Sequence, residues 1–312
     1  MDLATTPHVL AIGETLMDIV QPFGASEPAA EYPGGSPANV AMTLGRLGRT
    51  VVLQTWIGDD LRGHAIDAHF SASRVHITAE SHGAHHTSTA LASLDQRGAA
   101  TYTFDFDWSP TAPIAVGEAA RIVHAGSISA TTTPGCDAVL DALQRARAHA
   151  LVTYDPNARP SLMGTPEQAL AKVERCVAQA DVVKVSDEDI EWLTGGRDMD
   201  EVVAAWLELG PKLIVVTRGK KGALAVSASG VRLESVPGDV VVVDTVGAGD
   251  SFMGGILDAL WELGLLGAEG RERLASISRD EVAAILARAD RVADVTVSRS
   301  GANPPWADEL EG

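Results

Sequence analysis

Short runs of aliphatic and β-branched residues alternate with amphipathic helical patterns along most of this chain. Seven runs have the length and composition of buried strands, at residues 9–12, 51–56, 122–124, 151–154, 182–185, 213–217 and 240–243. Between them, apolar residues recur at helical spacing, as in Val40, Leu44 and Leu47, and in Phe252, Ile256, Leu260 and Leu263. This alternation predicts an α/β fold, with a mainly parallel sheet covered by helices on both faces.

Two stretches interrupt the alternation. Residues 21–32 are rich in Pro, Gly and Ala, and residues 88–108 alternate apolar and polar residues about a Gln-Arg-Gly turn at 96–98, which is typical of an antiparallel hairpin. We expect insertions at about 19–34 and 87–109 to form a small β-sheet lid beside the main body. The length of 312 residues fits either one large α/β domain or two small ones and does not decide between them.

The balance of charge limits the partners of this chain. It carries 42 Asp and Glu residues against 24 Lys and Arg residues, a formal charge of -18. Such a chain repels nucleic acid and anionic lipid at long range, so neither is expected as a partner. No stretch has the roughly 18 apolar residues of a membrane span, and the N-terminus lacks a signal pattern. Cys136 and Cys176 lie in helical patterns without metal-ligand spacing, so we expect a cytoplasmic protein.

The most informative motif is Asp-Thr-Val-Gly-Ala-Gly-Asp-Ser-Phe at residues 244–252. Its glycine-rich part, residues 247–249, follows the predicted strand 240–243 and opens a predicted helix. Backbone amides there can converge on an anion at the positive end of the helix dipole. A plain glycine-rich turn with Asp250 as a helix cap is the structural alternative.

Two common nucleotide motifs do not fit this loop. A dinucleotide fingerprint needs a third glycine where Phe252 stands, and a Walker loop needs a Gly-Lys-Ser/Thr sequence that the chain lacks. A carboxylate beside phosphate-binding amides is unfavourable unless it takes the proton of a hydroxyl that attacks the phosphate. We therefore interpret Asp250 as the general base of a phosphoryl transfer.

Polar residues also follow the first predicted strand. Asp18 lies beyond its carboxyl end, where open α/β sheets bind ligands, and its carboxylate can accept hydrogen bonds from two adjacent sugar hydroxyls. The segment Gly-Gly-Ser-Pro-Ala-Asn at 34–39 then opens a helix. Its glycines permit close ligand approach, and the Asn39 amide can both donate and accept. A solvated loop aspartate and an ordinary helix start are the alternatives.

Charged residues follow two more predicted strands. Arg159 ends the segment Asp-Pro-Asn-Ala-Arg, and its planar guanidinium suits a phosphate, a substrate carboxylate or a surface ion pair. Asp189 ends the segment Ser-Asp-Glu-Asp, where it could organise magnesium-bound water or interact with a helix dipole as a first-turn acid. Both readings of Asp189 remain open at this point.

Together these motifs resemble those of the ribokinase-like (PfkB) carbohydrate kinases along nearly the whole chain. The resemblance rests on the glycine-rich segment from residue 34 through Gly48 to Gly58, and on residues 244–252, in the family's order and separation. It implies one domain over residues 1–312, a ribokinase-like three-layer sandwich with a small β-sheet lid. It also implies an ATP-dependent sugar kinase with Mg²⁺, with K⁺ as a candidate activator. In relatives such a lid often mediates dimerisation, so a homodimer through the lid is expected.

The resemblance assigns a role to each matched position. It makes Asp250 the base and the amides of Gly247, Ala248, Gly249 and Asp250 the anion hole. It assigns the sugar to Asp18, Gly34, Gly35, Asn39 and Arg159. It assigns the nucleotide to Lys184, Ser186, Thr217, Gly219, Gly222, Gly247, Gly249 and Asn303. A monovalent cation falls to Asp244 and the carbonyls of Val246, Thr296, Arg299 and Gly301, and indirect magnesium binding falls to Asp189.

One position departs from the family. Many relatives carry Asn-x-x-Glu where this chain has Ser186 and Asp189, which leaves the magnesium role of Asp189 open. Fructokinase-like members are similar to this chain there, at His-Ala-Gly-Ser 124–127 and at residues 155–159. The expected reaction is therefore phosphorylation of a ketohexose at its primary hydroxyl, from D-fructose to fructose 6-phosphate. The alternatives are a 2-keto-3-deoxygluconate kinase, with Arg159 binding the substrate carboxylate, and a sugar or nucleotide sensor without catalysis.

Overall fold

The computed structural model describes residues 2–21, 24, 29–94 and 100–310. The strands in these residues are, in chain order, β1 (His8–Ile12), β2 (Leu16–Gln21), β3 (Ala30–Gly34), β4 (Val51–Gln54), β5 (Val75–Ile77), β6 (Thr89–Leu94), β7 (Ala100–Asp105), β8 (Ala120–Gly126), β9 (Leu151–Asp155), β10 (Val182–Ser186), β11 (Leu213–Thr217), β12 (Ala223–Ser227) and β13 (Arg232–Ser235). The helices are α1 (Ser36–Arg46), α2 (Leu61–Ala72), α3 (Gly135–Ala146), α4 (Pro160–Met163), α5 (Pro166–Val177), α6 (Asp187–Thr194), α7 (Met199–Leu209), α8 (Ala248–Glu262), α9 (Gly267–Leu274) and α10 (Arg279–Val297).

The main sheet has the strand order β13-β12-β11-β10-β9-β8-β1-β4-β5. From β11 to β5 every neighbouring pair is parallel, whereas β12 and β13 extend one edge as an antiparallel hairpin. Parallel strands align their carboxyl ends along one edge of the sheet, where α/β folds bind ligands. The loops after β1, β9, β10 and β11 therefore share that edge.

Helices cover both faces of this sheet, as the strand alternation requires. Leu10 and Ile12 of β1 pack in the cluster that includes α3, α5, α6 and α7, whereas Val9 and Ala11 pack in the cluster that includes α1, α8 and α10. Neighbouring residues of a strand point to opposite faces, so β1 is buried on both. The predicted α/β sandwich with a mainly parallel sheet is confirmed.

A second sheet contains four strands in the order β3-β2-β6-β7. β6 and β7 pair in antiparallel fashion, as the alternation at residues 88–108 predicts, and β2 joins them in parallel through β6. The predicted turn at 96–98 lies outside the described residues. This small sheet brings the chain that follows β1 beside the hairpin, although 67 residues lie between the end of β2 and the start of β6.

The predicted strand at residues 240–243 is wrong. These residues form irregular chain between β13 and α8, and Val241 is 82% exposed. The main sheet ends at β13, and residues 240–243 do not pair with its outer edge. A run of four valines is therefore insufficient for a strand where their side chains stay exposed.

No helix within the described ranges has both the length and the apolar composition needed to cross a membrane.

Candidate active site

Asp250 occupies the meeting point of α1, α8 and the loop after β9. Its Oδ1 accepts hydrogen bonds from Ser36 Oγ (2.7 Å) and Asn157 Nδ2 (3.2 Å), and its Oδ2 accepts one from Asn39 Nδ2 (2.8 Å). The residue is only 7% exposed. Three donors on a buried carboxylate fix its orientation and keep both oxygens in acceptor geometry, which suits a group that must receive a proton.

The start of α8 offers unpaired amides next to this carboxylate. Gly247 adopts a φ of 74° as the residue before the helix, and no side chain caps the helix start. Among the described residues, the amides of Gly249 and Asp250 have no hydrogen-bond partner. Free amides at the positive end of a 15-residue helix can bind an anion, as predicted for this segment.

A buried lysine adds positive charge to the same place. Lys184, in β10, extends beneath the start of α8, so that a Cβ built on Gly249 would lie 3.0 Å from its Nζ. The ammonium donates to Asp155 Oδ2 at 2.9 Å, and the two side chains are 4% and 0% exposed. Burial alone lowers the pKa of Lys184, but the carboxylates of Asp155, Asp189 and Asp250 together more than offset this, so its pKa is raised and the side chain stays charged.

His124 in β8 remains neutral near this ion pair. Burial, with the added charge of Lys184, lowers the pKa of His124 to about 3. Its Nδ1 lies 3.1 Å from the hydroxyl of Thr153, which accounts for one ring nitrogen. His124 therefore adds no positive charge beside Lys184.

Asn157 links Asp250 to Arg159. Its Nδ2 donates to Asp250 Oδ1, while its Oδ1 accepts from Arg159 Nη1 at 2.7 Å. The backbone of Asn157 has a φ of 38°, in the left-handed region that non-glycine residues seldom adopt, and its amide donates to Asp155 Oδ1 at 3.2 Å. Sequence reasoning selected Arg159 from this segment and missed Asn157 and Asp155. The usable signal was that three polar residues follow a buried strand within five positions.

Asp18 lies in β2 of the small sheet, on the chain that leaves the carboxyl end of β1. Gly34 in β3 makes room for it, since a Cβ at residue 34 would collide with Asp18 Oδ2. Gly35 has a φ of 113°, and a Cβ there would collide with the carbonyl of Glu14. Both predicted glycines thus permit close approach, one of a side chain and one of backbone.

The charge of Asp18 is coupled to the rest of the site. Burial raises the pKa of Asp18 to about 6, while Arg159 lowers it and Asp250 raises it. These electrostatic interactions group Asp18, Arg159 and Asp250 around one space. The structure thus brings together the predicted base and the residues predicted for the sugar.

Asp189 and Ser186 form a helix cap. Ser186 Oγ accepts from the Asp189 amide (2.9 Å), and Asp189 Oδ2 accepts from the Ser186 amide (3.2 Å), which is a capping box for α6. Asp189 Oδ1 also accepts from the amide of Ala158 at 2.9 Å. Both oxygens of Asp189 are thus engaged with backbone, which favours the structural reading of this residue and leaves its magnesium role a prediction.

The residues predicted for the nucleotide base fall into two groups. Thr217 ends β11, and Gly219 and Gly222 flank the turn that joins β11 to β12, on the carboxyl edge of the sheet. Gly222 has a φ of 80°, and a side chain there would collide with the carbonyl of Ser235. Asn303 instead accepts from Arg46 Nη1 (2.6 Å), at the C-terminal end of α1, and its nucleotide role stays a prediction.

The residues predicted for a monovalent cation are partly assembled. Asp244 accepts from the amides of Val246 (3.0 Å) and Gly301 (2.8 Å), which joins the loop before α8 to the loop after α10. The Thr296 carbonyl accepts the amides of Ser298 and Arg299. In the described part of the chain, no group of three or more His, Cys, Asp or Glu residues could hold a metal ion.

Comparison with known proteins agrees with this geometry. Residues 6–309 match the pfkB family carbohydrate kinases. A fructokinase of Rhizobium leguminosarum bv. trifolii is 34% identical over 261 residues, which are 81% of this chain and 79% of that protein.

Two crystal structures have the same fold over nearly their whole length. Fructokinase from Xylella fastidiosa with bound ATP is 25% identical, with a TM-score of 0.81 and 97% of each chain covered. Fructokinase from Vibrio cholerae O395, in a form with fructose, ADP and calcium, is 26% identical, with a TM-score of 0.75 and 95% and 94% of the two chains covered. This chain belongs to the pfkB family of carbohydrate kinases.

Proposed function

We propose that this kinase transfers the γ-phosphoryl group of ATP to the primary hydroxyl of D-fructose, forming fructose 6-phosphate and ADP. The observation that carries the proposal is the position of Asp250, whose buried carboxylate lies directly beside unpaired helix amides. A general base next to an anion site is the arrangement that a sugar hydroxyl and a phosphoryl group both require.

In this mechanism the sugar lies between Asp18 and Asp250. Asp18 accepts hydrogen bonds from the sugar hydroxyls, and Asn39 and Asn157 hold Asp250 in position. Asp250 takes the proton of the primary hydroxyl while the oxygen of that hydroxyl forms a bond to the γ-phosphorus of ATP. The bond between the γ-phosphorus and the bridging oxygen breaks, and that oxygen leaves with ADP. The amides of Gly249 and Asp250 and the ammonium of Lys184 stabilise the negative charge of the transferred group.

The ion and nucleotide sites follow from the same assignments. ATP phosphates fit the start of α8, because unpaired amides and a buried ammonium offset their charge. The adenine base of ATP would lie along Thr217, Gly219 and Gly222. Mg²⁺, when bound with ATP, would neutralise phosphate charge and orient the γ-phosphoryl group. K⁺ would be held by Asp244 and the carbonyls of neighbouring loops, behind the anion site.

The small sheet is proposed to act as a lid over the sugar. Asp18 belongs to its strand β2, so sugar binding contacts this sheet directly. Closure over the substrates excludes water, which would otherwise compete with the sugar for the phosphoryl group. We also propose this sheet as the surface of a homodimer.

The choice of fructose rests on the relatives. A relative and two structural neighbours carry the name fructokinase, and one of those structures contains fructose with ADP. A keto-acid substrate is less favoured here, because its carboxylate would approach Arg159 in the presence of two acidic neighbours, Asp18 and Asp250.

A substrate panel tests the proposal. ADP release is measured with fructose, 2-keto-3-deoxygluconate, ribose, adenosine and fructose phosphate, each with and without K⁺. We expect the highest kcat/KM with fructose and faster turnover with K⁺. Preference for the keto acid would overturn fructose as the substrate, and absence of turnover with every compound would contradict catalysis.

The raised pKa of Asp18 predicts that kcat/KM for the sugar decreases at acidic pH. Asp18 must be ionised to accept from sugar hydroxyls, and its pKa of about 6 lies far above the ordinary 3.8. We expect kcat/KM for fructose to fall about tenfold per pH unit below pH 6. In Asp18→Asn, kcat/KM should be lower at neutral pH and should no longer decrease below pH 6. An unchanged decrease below pH 6 would contradict the role of Asp18.

The same pKa shift makes a prediction about stability. Because the folded-state pKa is raised, ionised Asp18 destabilises the fold as pH rises from 3.8 to about 6, and the cost stays constant above that range. A shift of this size corresponds to about 3 kcal/mol. Asp18→Asn should therefore be more stable than the wild type to urea at pH 8 and equally stable near pH 3.5.

A further inference from the structure

A cavity of about 500 Å³ lies between the end of α4, the chain before α3, and α5. Its polar lining consists of the threonines at residues 131–133 with Gln168, Lys172 and Arg175 of α5. None of the residues that line it has been assigned above to sugar, nucleotide, cation or catalysis. The cavity is thus separate from the proposed active site, although it borders the segment that follows Arg159.

The lining offers hydrogen-bond donors in excess. Lys172 Nζ donates to the carbonyl of Thr131 (2.6 Å) and, within the described residues, has no carboxylate partner. Gln168 uses its oxygen to accept from the Thr165 amide (3.3 Å), which leaves its amide nitrogen free to donate. The hydroxyl oxygen of Thr132 is buried and has no partner in the described part of the chain.

Arg175 supplies the second positive charge. Its Nη2 donates to Asp137 Oδ1 at 3.2 Å, and its other N–H groups remain available. Within the described residues, Asp137 is the one carboxylate bonded to either cation, and it does not line the cavity. The lining contributed by the described part of the chain contains no acidic side chain.

The positive field of this region acts on its neighbours. Burial raises the pKa of the Cys136 thiol at the start of α3, Lys172 and Arg175 lower it, and Asp137 raises it. In a chain of formal charge -18, anions are repelled by most of the surface. A cavity with two cations and no acids is the place where a small anion can overcome that repulsion.

We propose that this cavity binds the dianionic phosphate group of a small metabolite, or inorganic phosphate itself. A volume of about 500 Å³ is in the usual range for small-molecule sites and accommodates a sugar phosphate. Lys172 meets the phosphate as a point charge and Arg175 as a planar donor pair, and the neutral donors bind the remaining oxygens.

A bound phosphate would contact the turn that carries Arg159. Leu162, Met163 and Gly164 line the cavity, and Arg159 bonds to Met163 through both its amide (to Sδ, 3.4 Å) and its carbonyl (from the Met163 amide, 3.0 Å). The cavity and the proposed sugar site are thus one helical turn apart.

Calorimetric titration with inorganic phosphate and with fructose 6-phosphate tests this site. The variant Gly249→Val blocks phosphate binding at the start of α8, because the valine side chain would fill the space beside Lys184. Any phosphate site that remains in this variant lies elsewhere. We expect Gly249→Val to keep one phosphate site, and Lys172→Met and Arg175→Gln each to weaken that site about tenfold or more. Arg197→Gln is the matched control, because Arg197 is exposed and lies outside the cavity lining.

The relative affinities of inorganic phosphate and fructose 6-phosphate distinguish the two ligands. Equal affinity for both probes identifies free phosphate as sufficient, and tighter fructose 6-phosphate binding identifies a sugar phosphate. The proposal would be overturned if Gly249→Val bound no phosphate. It would also be overturned if Lys172→Met and Arg175→Gln bound phosphate as tightly as Arg197→Gln. If Gly249→Val does not fold, the wild-type titration decides: it should show two phosphate sites, and Arg175→Gln, an exposed substitution, should weaken one of them about tenfold or more. Unchanged affinity at both sites would overturn the proposal.

Discussion

Replacing Asp250 with Asn is expected to lower kcat by about 10²–10⁴-fold, because the amide cannot take the proton of the attacking hydroxyl. The substitution keeps the size of the side chain. Its oxygen can still accept from one of the neighbours of Asp250, so the start of α8 should remain in place. Fructose affinity, measured by calorimetry in the absence of ATP, should change far less than kcat. The turnover rate is measured as ADP release at saturating fructose and ATP.

The control for this variant is Asp280→Asn. Asp280 is also an acid in the first turn of a long helix, α10, but it is exposed. Removing its charge tests the effect of losing a helix-dipole interaction, which is worth less than about 1 kcal/mol at an exposed site. Asp280→Asn should keep wild-type turnover. Near-normal kcat in Asp250→Asn would show that another group takes the proton.

The periodicity of the sequence predicts the fold well because burial is a local signal. A run such as residues 213–216 is apolar at every position, since helices cover both faces of its strand, and this pattern can be recognised without any knowledge of its neighbours. Residues 240–243 carry the same signal and fail. Whether a β-branched run joins a sheet depends on pairing and burial, which are tertiary properties, and here all four valines are exposed and lie outside the sheet.

The site is predictable only where its residues form a motif. The prediction for Asp250 and Asn39 came from two compact segments, and the hydrogen bond between them spans 211 residues of sequence. The bonds from Asn157 to Asp250 and from Lys184 to Asp155 have no such local signature, because the first joins the loop after β9 to α8 and the second joins β10 to β9. These contacts follow from how the elements pack, which the sequence does not state.

At Asp189 a local motif is present, but it is compatible with two different roles. A serine followed three residues later by an acid is typical both of a metal-binding motif and of a capping box. The choice depends on where the carboxylate oxygens point. Here both accept backbone amides, one of them from Ala158 on a neighbouring loop, which the sequence alone could not indicate.

Replacing Lys184 with Met is expected to lower the free energy of unfolding by about 3–5 kcal/mol, because it leaves the fully buried Asp155 without its partner. Burial already raises the pKa of Asp155 to about 6 despite the Lys184 ammonium, and loss of the ammonium should raise this pKa further. The loss of stability should therefore be large at pH 8 and smaller at pH 5.5, where Asp155 can take up a proton. Urea unfolding at the two pH values measures this difference.

The double variant Lys184→Met/Asp155→Asn separates structure from catalysis. Neutral Asn removes the unpaired charge, so the double variant should recover much of the lost stability. It should not recover turnover, because the positive charge beside the Gly249 amide is still missing, and loss of one such stabilising group costs about 10²–10³-fold in kcat. Recovery of full turnover would limit Lys184 to a structural role. Equal stability of the single and double variants at pH 8 would contradict the buried ion pair itself.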